Sequence, residues 1–229
     1  MSADLAKKHA GEAAAELISS GMIVGLGTGS TAVHFVRALA ARKLDIAGVP
    51  TSIATAELAT SLGIQLLTPD EAGEIDITVD GADEVDPAFR LIKGGGGAHL
   101  REKIIAAASK SMVVITDASK LVPTLGKFPL PVEVTQFAYR VTERKIVRAL
   151  AAGKTAATAT QLRESAPGKP FVTDGGNYII DCRCEAIGDP DALAAALSVI
   201  PGVVEHGLFI GMTRKVIVGT ATGADIKTK

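Results

Sequence analysis

The stretch Met22-Ile23-Val24-Gly25-Leu26-Gly27-Thr28-Gly29-Ser30-Thr31 passes from a short apolar strand into a glycine turn, and a helical run over 32–41 follows it. Strand, glycine turn and helix together present backbone N–H groups and the positive end of a helix dipole to an anion. A dinucleotide fingerprint would need a third glycine where this chain has Ser30, and a carboxylate after the second strand. That strand, over 46–49, runs instead into Pro50-Thr51-Ser52. The hydroxyl-bearing turn Thr28-Gly29-Ser30-Thr31 is therefore expected to hold a single phosphate.

The same rhythm extends to both sides. Residues 3–18 read as a helix capped by Ser2 and ended by Gly21. Downstream, Thr55 is expected to cap a short helix reaching Leu62, Gly63 to close it, and 64–67 to form a strand. Thr68-Pro69-Asp70-Glu71 begins a turn or short helix, and a strand over 75–79 empties into Asp80-Gly81-Ala82-Asp83-Glu84-Val85-Asp86. Carboxylates clustered so closely repel one another unless solvent, cations or a polyol screens them. Asp80 and Asp83 are expected to be functional, with Glu84 and Asp86 facing solvent.

Lys93-Gly94-Gly95-Gly96-Gly97-Ala98-His99-Leu100-Arg101-Glu102 comes next. Consecutive glycines pack nothing and cost backbone entropy, so such a loop belongs where bare backbone approaches a ligand. Glu102 falls about one turn into the helix that follows and can project back toward the loop. A further strand, 112–116, ends in Asp117-Ala118-Ser119-Lys120, where Lys120 is a candidate for phosphate or carboxylate contact. Polar loops thus follow strands, and in open α/β sheets ligands sit beyond the carboxyl ends of strands. The expected fold is α/β, an open, mostly parallel Rossmann-like sheet with a second, smaller α+β domain.

The second domain is read from a change of pattern. Pro123, Pro129 and Pro131 punctuate 121–134, and the alternation of strand and helix stops. Leu130-Pro131-Val132-Glu133-Val134 reads as an edge strand or linker, because proline donates nothing to a ladder. A helix over 139–151, a strand, turn and strand over 171–181, and a helix over 190–199 capped by Asp189 complete this block. Short strands over 207–210 and 215–219 are expected to return to the first domain. The expected boundaries are 1–127 plus 204–229 for a catalytic domain, and 128–203 for a smaller domain giving lid and oligomer contacts.

Composition narrows the function. The 229 residues suffice for a sizeable core, which aliphatic side chains must build, since aromatics are 3% and tryptophan is absent. A net charge of −1 gives no reason to expect nucleic acid. No apolar run reaches spanning length, and neither a signal core nor an Arg-rich transit pattern follows Met1, so no membrane partner and a cytoplasmic location are expected. Cys182 and Cys184, two apart in a strand-like run, share a face, which is poor geometry for a disulfide and marks a reduced structural pair. His9, His34, His99 and His206 lack metal-ligand spacing, and no G-x-S-x-G elbow is present. What remains is proton chemistry on a small phosphorylated, hydroxylated substrate. A glutamate base near cationic and N–H donors fits proton abstraction beside a carbonyl, with stabilisation of an enediolate.

Gly27-Thr28-Gly29-Ser30-Thr31, Asp80-Gly81-Ala82-Asp83-Glu84, Lys93-Gly94-Gly95-Gly96 with Arg101-Glu102-Lys103, Asp117-Ala118-Ser119-Lys120 and 126–133 together resemble ribose-5-phosphate isomerases of type A. The resemblance covers nearly the whole chain, including 200–204. It implies interconversion of D-ribose 5-phosphate and D-ribulose 5-phosphate in the non-oxidative pentose phosphate pathway, with no cofactor and no metal. It assigns Glu102 as the proton shuttle between C1 and C2, and places Asp80, Asp83 and Lys93 around the sugar for ring opening and enediolate stabilisation. Substrate binding falls to Thr28, Gly29, Ser30, Thr31, Asp80, Gly81, Ala82, Asp83, Lys93, Gly94, Gly95, Gly96 and Lys120. A homodimer or dimer of dimers is also implied. Gly97 and His99 depart from the family pattern, and His99 brings an unexpected ring close in sequence to Glu102. Two other classes compete. A sugar-phosphate deaminase or CoA transferase on a related scaffold would need a histidine cluster or a covalent glutamate in another motif. A sugar-phosphate-sensing regulator would be expected to carry a DNA-reading helix and a basic face, whereas this chain starts directly at its sugar-phosphate domain.

Overall fold

The computed structural model describes residues 3–229, so Ser2, the expected cap of the first helix, lies outside the described residues. Two compact units are present. The first comprises the chain up to Ala82, Arg101–Leu121 and Met212–Lys229, and the second Asp83–Leu100 and Val122–Gly211. Residues 83–100, 122–127 and 204–211 thus fall in the second unit, where the sequence had placed them in the first.

The first unit is built on a seven-stranded sheet. Its order is Ala224–Thr228, Thr213–Gly219, Met112–Asp117, Ile77–Gly81, Ile23–Leu26, Ala47–Pro50 and Gln65–Leu66. Every pairing is parallel except that of Ala224–Thr228, a strand the sequence did not announce. Parallel strands with helices on their faces are buried on both sides, which is why Met112–Asp117 is apolar almost throughout and buried at every position. Val24, Leu26, Phe35, Val79, Ile115 and Ile217 form the centre of the core. The helix Ala3–Ala15 packs closely on the helix Ser30–Ala41, and a Cβ on Gly11 would lie 2.6 Å from the Phe35 backbone nitrogen. The helix Ile53–Ser61 is capped by Ser52, whose hydroxyl accepts from the Thr55 N–H. The expected cap, Thr55, lies inside the first turn and bonds the Gly27 carbonyl.

The second unit holds a four-stranded antiparallel sheet ordered Val203–His206, Leu130–Val134, Tyr178–Arg183 and Ala159–Leu162. Leu130–Val134 is therefore a central, fully buried strand, not the edge strand or linker its proline implied. Pro131 is tolerated because its carbonyl takes the Gly207 N–H just past the end of the Val203–His206 pairing, where its missing donor is not needed. The ring lies so close to Gly207 that a Cβ there would meet Pro131 Cδ at 2.8 Å. The helices Tyr139–Ala149 and Pro190–Ser198 belong to the same unit, and Asp189 caps the latter through the Ala192 N–H as expected.

A small sheet of Leu208–Phe209, Leu91–Ile92 and Glu84–Val85 completes the unit, so 208–209 does not return to the first domain. Here two expectations fail together. Glu84 and Asp86 are each 3% exposed rather than solvated. The Glu84 carboxylate accepts the N–H groups of Gly126 and Phe128. That of Asp86 accepts from Ala88 N–H and Arg90 N–H, and from Arg90 Nε at 2.6 Å. These carboxylates close loops and satisfy buried donors, which offsets the cost of removing them from water.

Candidate active site

In the first unit the sheet reverses its winding between Ile23–Leu26 and Ile77–Gly81: successive strands run to one side of the former and then to the far side of the latter. Such a switch point opens a crevice at the strand carboxyl ends. Two site residues straddle it. Asp80 is fully buried, and its Oδ1 accepts the N–H groups of Thr28 at 3.0 Å and Gly81 at 2.7 Å. A Cβ on Gly27 would stand 2.3 Å from that oxygen and 2.5 Å from the Asp80 Cα, so only glycine permits this approach. Gly29, at φ 104°, caps the helix Ser30–Ala41 without a side chain. The first N–H groups of that helix have no intrahelical acceptor and are aimed out of its end.

The Thr28 hydroxyl faces other hydroxyls of the protein. It lies 2.8 Å from Thr51 Oγ1, 2.9 Å from Ser52 Oγ and 3.2 Å from Thr55 Oγ1, in a cluster anchored to the carbonyls of Leu26 and Gly27. Thr28 thus ties its own turn to the 51–55 segment. Sequence reasoning missed Lys7, whose Nζ donates to Ser30 Oγ at 3.0 Å. A signal was available: Lys7 and Gly11 are four apart and share a helix face, and Gly11 marks the face that packs on Ser30–Ala41. Thr51, Ser52 and Thr55 were missed as well, although hydroxyls at a strand's carboxyl end could have indicated them.

Glu102 and Lys120 are the other candidates in the first unit. Glu102 lies in the first turn of the helix His99–Ala107 and is 4% exposed. Ile105, three residues on, packs against the sheet at Gly25, where a Cβ would come within 2.9 Å of it. Lys120 ends a short 3₁₀ turn after Met112–Asp117, whose Asp117 carboxylate accepts the Ser119 N–H and hydroxyl. That strand pairs with Ile77–Gly81, so Lys120 follows the strand next to the one that carries Asp80.

The second unit holds Asp83, Lys93 and the glycine loop. Glu84 pairs with Ile92, and the Asp83 N–H donates to the Ile92 carbonyl, which sets Asp83 and Lys93 at the same end of this ribbon. Lys93 is 2% exposed, and its ammonium lies 5.5 Å from the centre of the Phe209 ring. Asp83 Oδ2 accepts the Gly95 N–H at 2.8 Å. A Cβ on Gly95 would press on Asp83 and Phe128, one on Gly94 on the His99 ring, and one on Gly97 on Phe171. Gly94 and Gly97 also have φ of 105° and 80°, conformations that L side chains rarely adopt. His99 is wholly buried, with Nε2 3.8 Å from Glu133 Oε2. Glu133 Oε1 in turn accepts from Thr173 and Asn177. The unexpected ring is therefore accounted for inside the second unit.

The first unit thus carries Thr28–Thr31, Asp80, Gly81, Ala82, Glu102 and Lys120, of which Thr28, Asp80 and Gly81 are joined by hydrogen bonds, and the second carries Asp83, Lys93 and Gly94–Gly96, of which Asp83 and Gly95 are so joined. Each unit by itself holds groups suited to proton chemistry: the first a buried carboxylate, Asp80, beside a helix N-terminus, the second a buried lysine, Lys93, beside a glycine loop.

Comparison with known proteins agrees. The family of ribose 5-phosphate isomerase A (phosphoriboisomerase A) matches residues 47–223. The "Ribose-5-phosphate isomerase A" of Parvibaculum lavamentivorans is 57% identical over 99% of both chains. A solved D-ribose-5-phosphate isomerase in complex with phospho-erythronic acid superposes with a TM-score of 0.92 at 37% identity, covering all of both chains. The ribose 5-phosphate isomerase A of Methanocaldococcus jannaschii gives 0.88 at 42% identity, with 98% of each chain covered. The chain belongs to the ribose 5-phosphate isomerase A family.

Proposed function

We infer that the chain interconverts D-ribose 5-phosphate and D-ribulose 5-phosphate through an enediolate, in the non-oxidative pentose phosphate pathway. The full-length likeness to isomerases of this name carries the reading. The phosphate is assigned to the Gly29–Thr31 backbone and hydroxyls, with Lys7 and Lys120 supplying positive charge. The sugar is assigned to Asp80, Gly81, Ala82, Asp83, Lys93 and the loop Gly94–Gly96. Asp80 and Asp83 assist opening of the furanose. Glu102 then takes the C2 proton of the open aldehyde, and negative charge moves to O1. Lys93 and the loop N–H groups stabilise that charge. The proton returns to C1 while the C2 hydroxyl proton passes to O1, giving the ketose.

The direct test is ketose formation from ribose 5-phosphate by the purified chain. Glu102→Gln is nearly isosteric but cannot accept the proton, so kcat is expected to fall by about two to four orders of magnitude with an unchanged thermal midpoint. Near-normal turnover would transfer the base role to another residue. A cytoplasmic homodimer or dimer of dimers belongs to the same proposal. Its supports are the free Cys182 and Cys184, which fit a reducing compartment, and the exposure of Phe137 and Val199, which fits an interface. Among the described residues no helix is long and apolar enough to cross a membrane.

A further inference from the structure

We propose that Arg163 is a positioning residue for the isomerisation, acting on the enediolate through the peptides of Gly94, Gly95 and Gly96; this deepens the functional reading above and rests on it. Arg163 follows the strand Ala159–Leu162 in the second unit. Its Nε and Nη2 grip both oxygens of Asp181, at 2.8 and 2.5 Å. The remaining arm, Nη1, donates to the carbonyls of Gly94 at 2.8 Å and Gly95 at 3.1 Å. The guanidinium lies 5.9 Å from the centre of the Phe171 ring, the same ring that leaves no room for a Cβ on Gly97. Backbone bonds from Arg163 N–H to Ile179 and from Phe171 N–H to Arg163 lock the frame. A planar fork aimed by a bidentate carboxylate is a rigid donor, and lysine cannot reproduce it.

The consequence follows from peptide geometry. In a planar trans peptide the C=O and the next residue's N–H point in opposite directions. The Gly94 carbonyl held by Arg163 belongs to the peptide whose N–H, on Gly95, donates to Asp83. The Gly95 carbonyl belongs to the peptide whose N–H, on Gly96, points away from Arg163. Gly96 is exposed, and nothing lies within 4 Å of where its Cβ would be. A cation on the carbonyl oxygens polarises both peptides and makes their N–H groups stronger donors. Enediolate charge appears only as the C2 proton leaves, so a donor strengthened and aimed in advance lowers the barrier more than it strengthens substrate binding. Arg163 thereby sets both the orientation and the donor strength of the loop.

The test compares wild type with Arg163→Met, Arg163→Lys and Asp181→Asn, reading kcat and KM for ribose 5-phosphate, the thermal midpoint, and calorimetric affinities for inorganic phosphate and phospho-erythronic acid. Arg163→Met is expected to lower kcat about a hundredfold and to weaken phospho-erythronic acid about tenfold or more, with KM and phosphate affinity within about threefold. Arg163→Lys, which keeps a charge behind the loop, is expected to recover about tenfold of the lost kcat. A kcat for Arg163→Met near that of wild type, a parallel loss of phosphate affinity, or equal losses in the Met and Lys variants would overturn the proposal. If Arg163→Met fails to fold, Asp181→Asn decides the matter, since it loosens the fork without removing the cation. It is expected to lower kcat by about three- to tenfold at constant phosphate affinity, and an unchanged kcat would refute the role. A wild-type chain inert toward ribose 5-phosphate would instead sink the substrate reading, and the relative affinities for phospho-erythronic acid would still settle Arg163.

Discussion

At the scale of single residues, the two first-unit carboxylates have different surroundings and so different expected parts. Asp80 holds the Thr28–Thr31 turn to its own strand through the Thr28 and Gly81 N–H groups. An asparagine oxygen can accept both bonds, so Asp80→Asn is expected to keep the turn in place and to change only the acid–base character of the second oxygen. Ribose 5-phosphate is mostly a closed furanose, whereas ribulose 5-phosphate cannot close the corresponding ring because its C5 oxygen carries the phosphate. If Asp80 opens the ring, the variant slows the aldose-to-ketose direction far more than the reverse, since open aldehyde released in reverse closes unaided. Initial rates in both directions check this, and equal losses would reassign Asp80 to positioning or to the enediolate step.

At the scale of elements, close packing carries function. Lys7 reaches Ser30 because the helix Ala3–Ala15 lies against Ser30–Ala41 at Gly11, where an added Cβ would meet the Phe35 backbone. Backbone cannot give way as a flexible side chain does, so Gly11→Ala is expected to cost about 1–3 kcal/mol of stability and to push Lys7 away. Denaturant unfolding should show the first effect and a weaker affinity for inorganic phosphate the second. Unchanged phosphate affinity would remove Lys7 from the anion site. In the second unit, Glu84 closes the loop at Gly126 and Phe128, and burial raises its carboxyl above the ordinary 4.5. A carboxyl raised in the folded state binds more protons there than in the unfolded chain. Its linked stability is therefore present below 4.5 and lost as pH rises through the folded value. Glu84→Gln is expected to flatten that part of the stability–pH curve. At neutral pH it is expected to cost about 1–3 kcal/mol, because an amide has one acceptor oxygen for two N–H donors. Unfolding curves across this range, with an unaltered slope in the variant, would show that Glu84 does not titrate there.

At the scale of the whole molecule, the chain crosses between its two compact units four times, and each unit carries its own candidate residues. Sedimentation is expected to give two or four times the 23.4 kDa of the chain. A monomer at micromolar concentration with full activity would dismiss the dimer as a functional requirement.

The alternation of strand, glycine turn and helix was legible in the sequence because it rests on local chemistry. Apolar runs mark the buried parallel strands, Gly21, Gly29 and Gly63 take positive φ where chains turn, and Asp189 caps its own helix. The Thr28–Thr31 turn, the Asp80–Asp83 segment, the glycine loop and Glu102 stand out in the sequence as candidates for the same reason, since each motif lies within a few neighbouring residues. Burial of Glu84 was not, because its donors lie 42 and 44 residues away, and a carboxylate's fate depends on whether such donors arrive. Nor was the central place of Leu130–Val134, decided by where the Val203–His206 strand ends relative to Pro131. The grip of Arg163 on a loop 68 and 69 residues earlier likewise left no local trace. Backbone preference is written in the neighbours along the chain, whereas the protonation, burial and aim of a charged side chain are set by partners that only folding brings near.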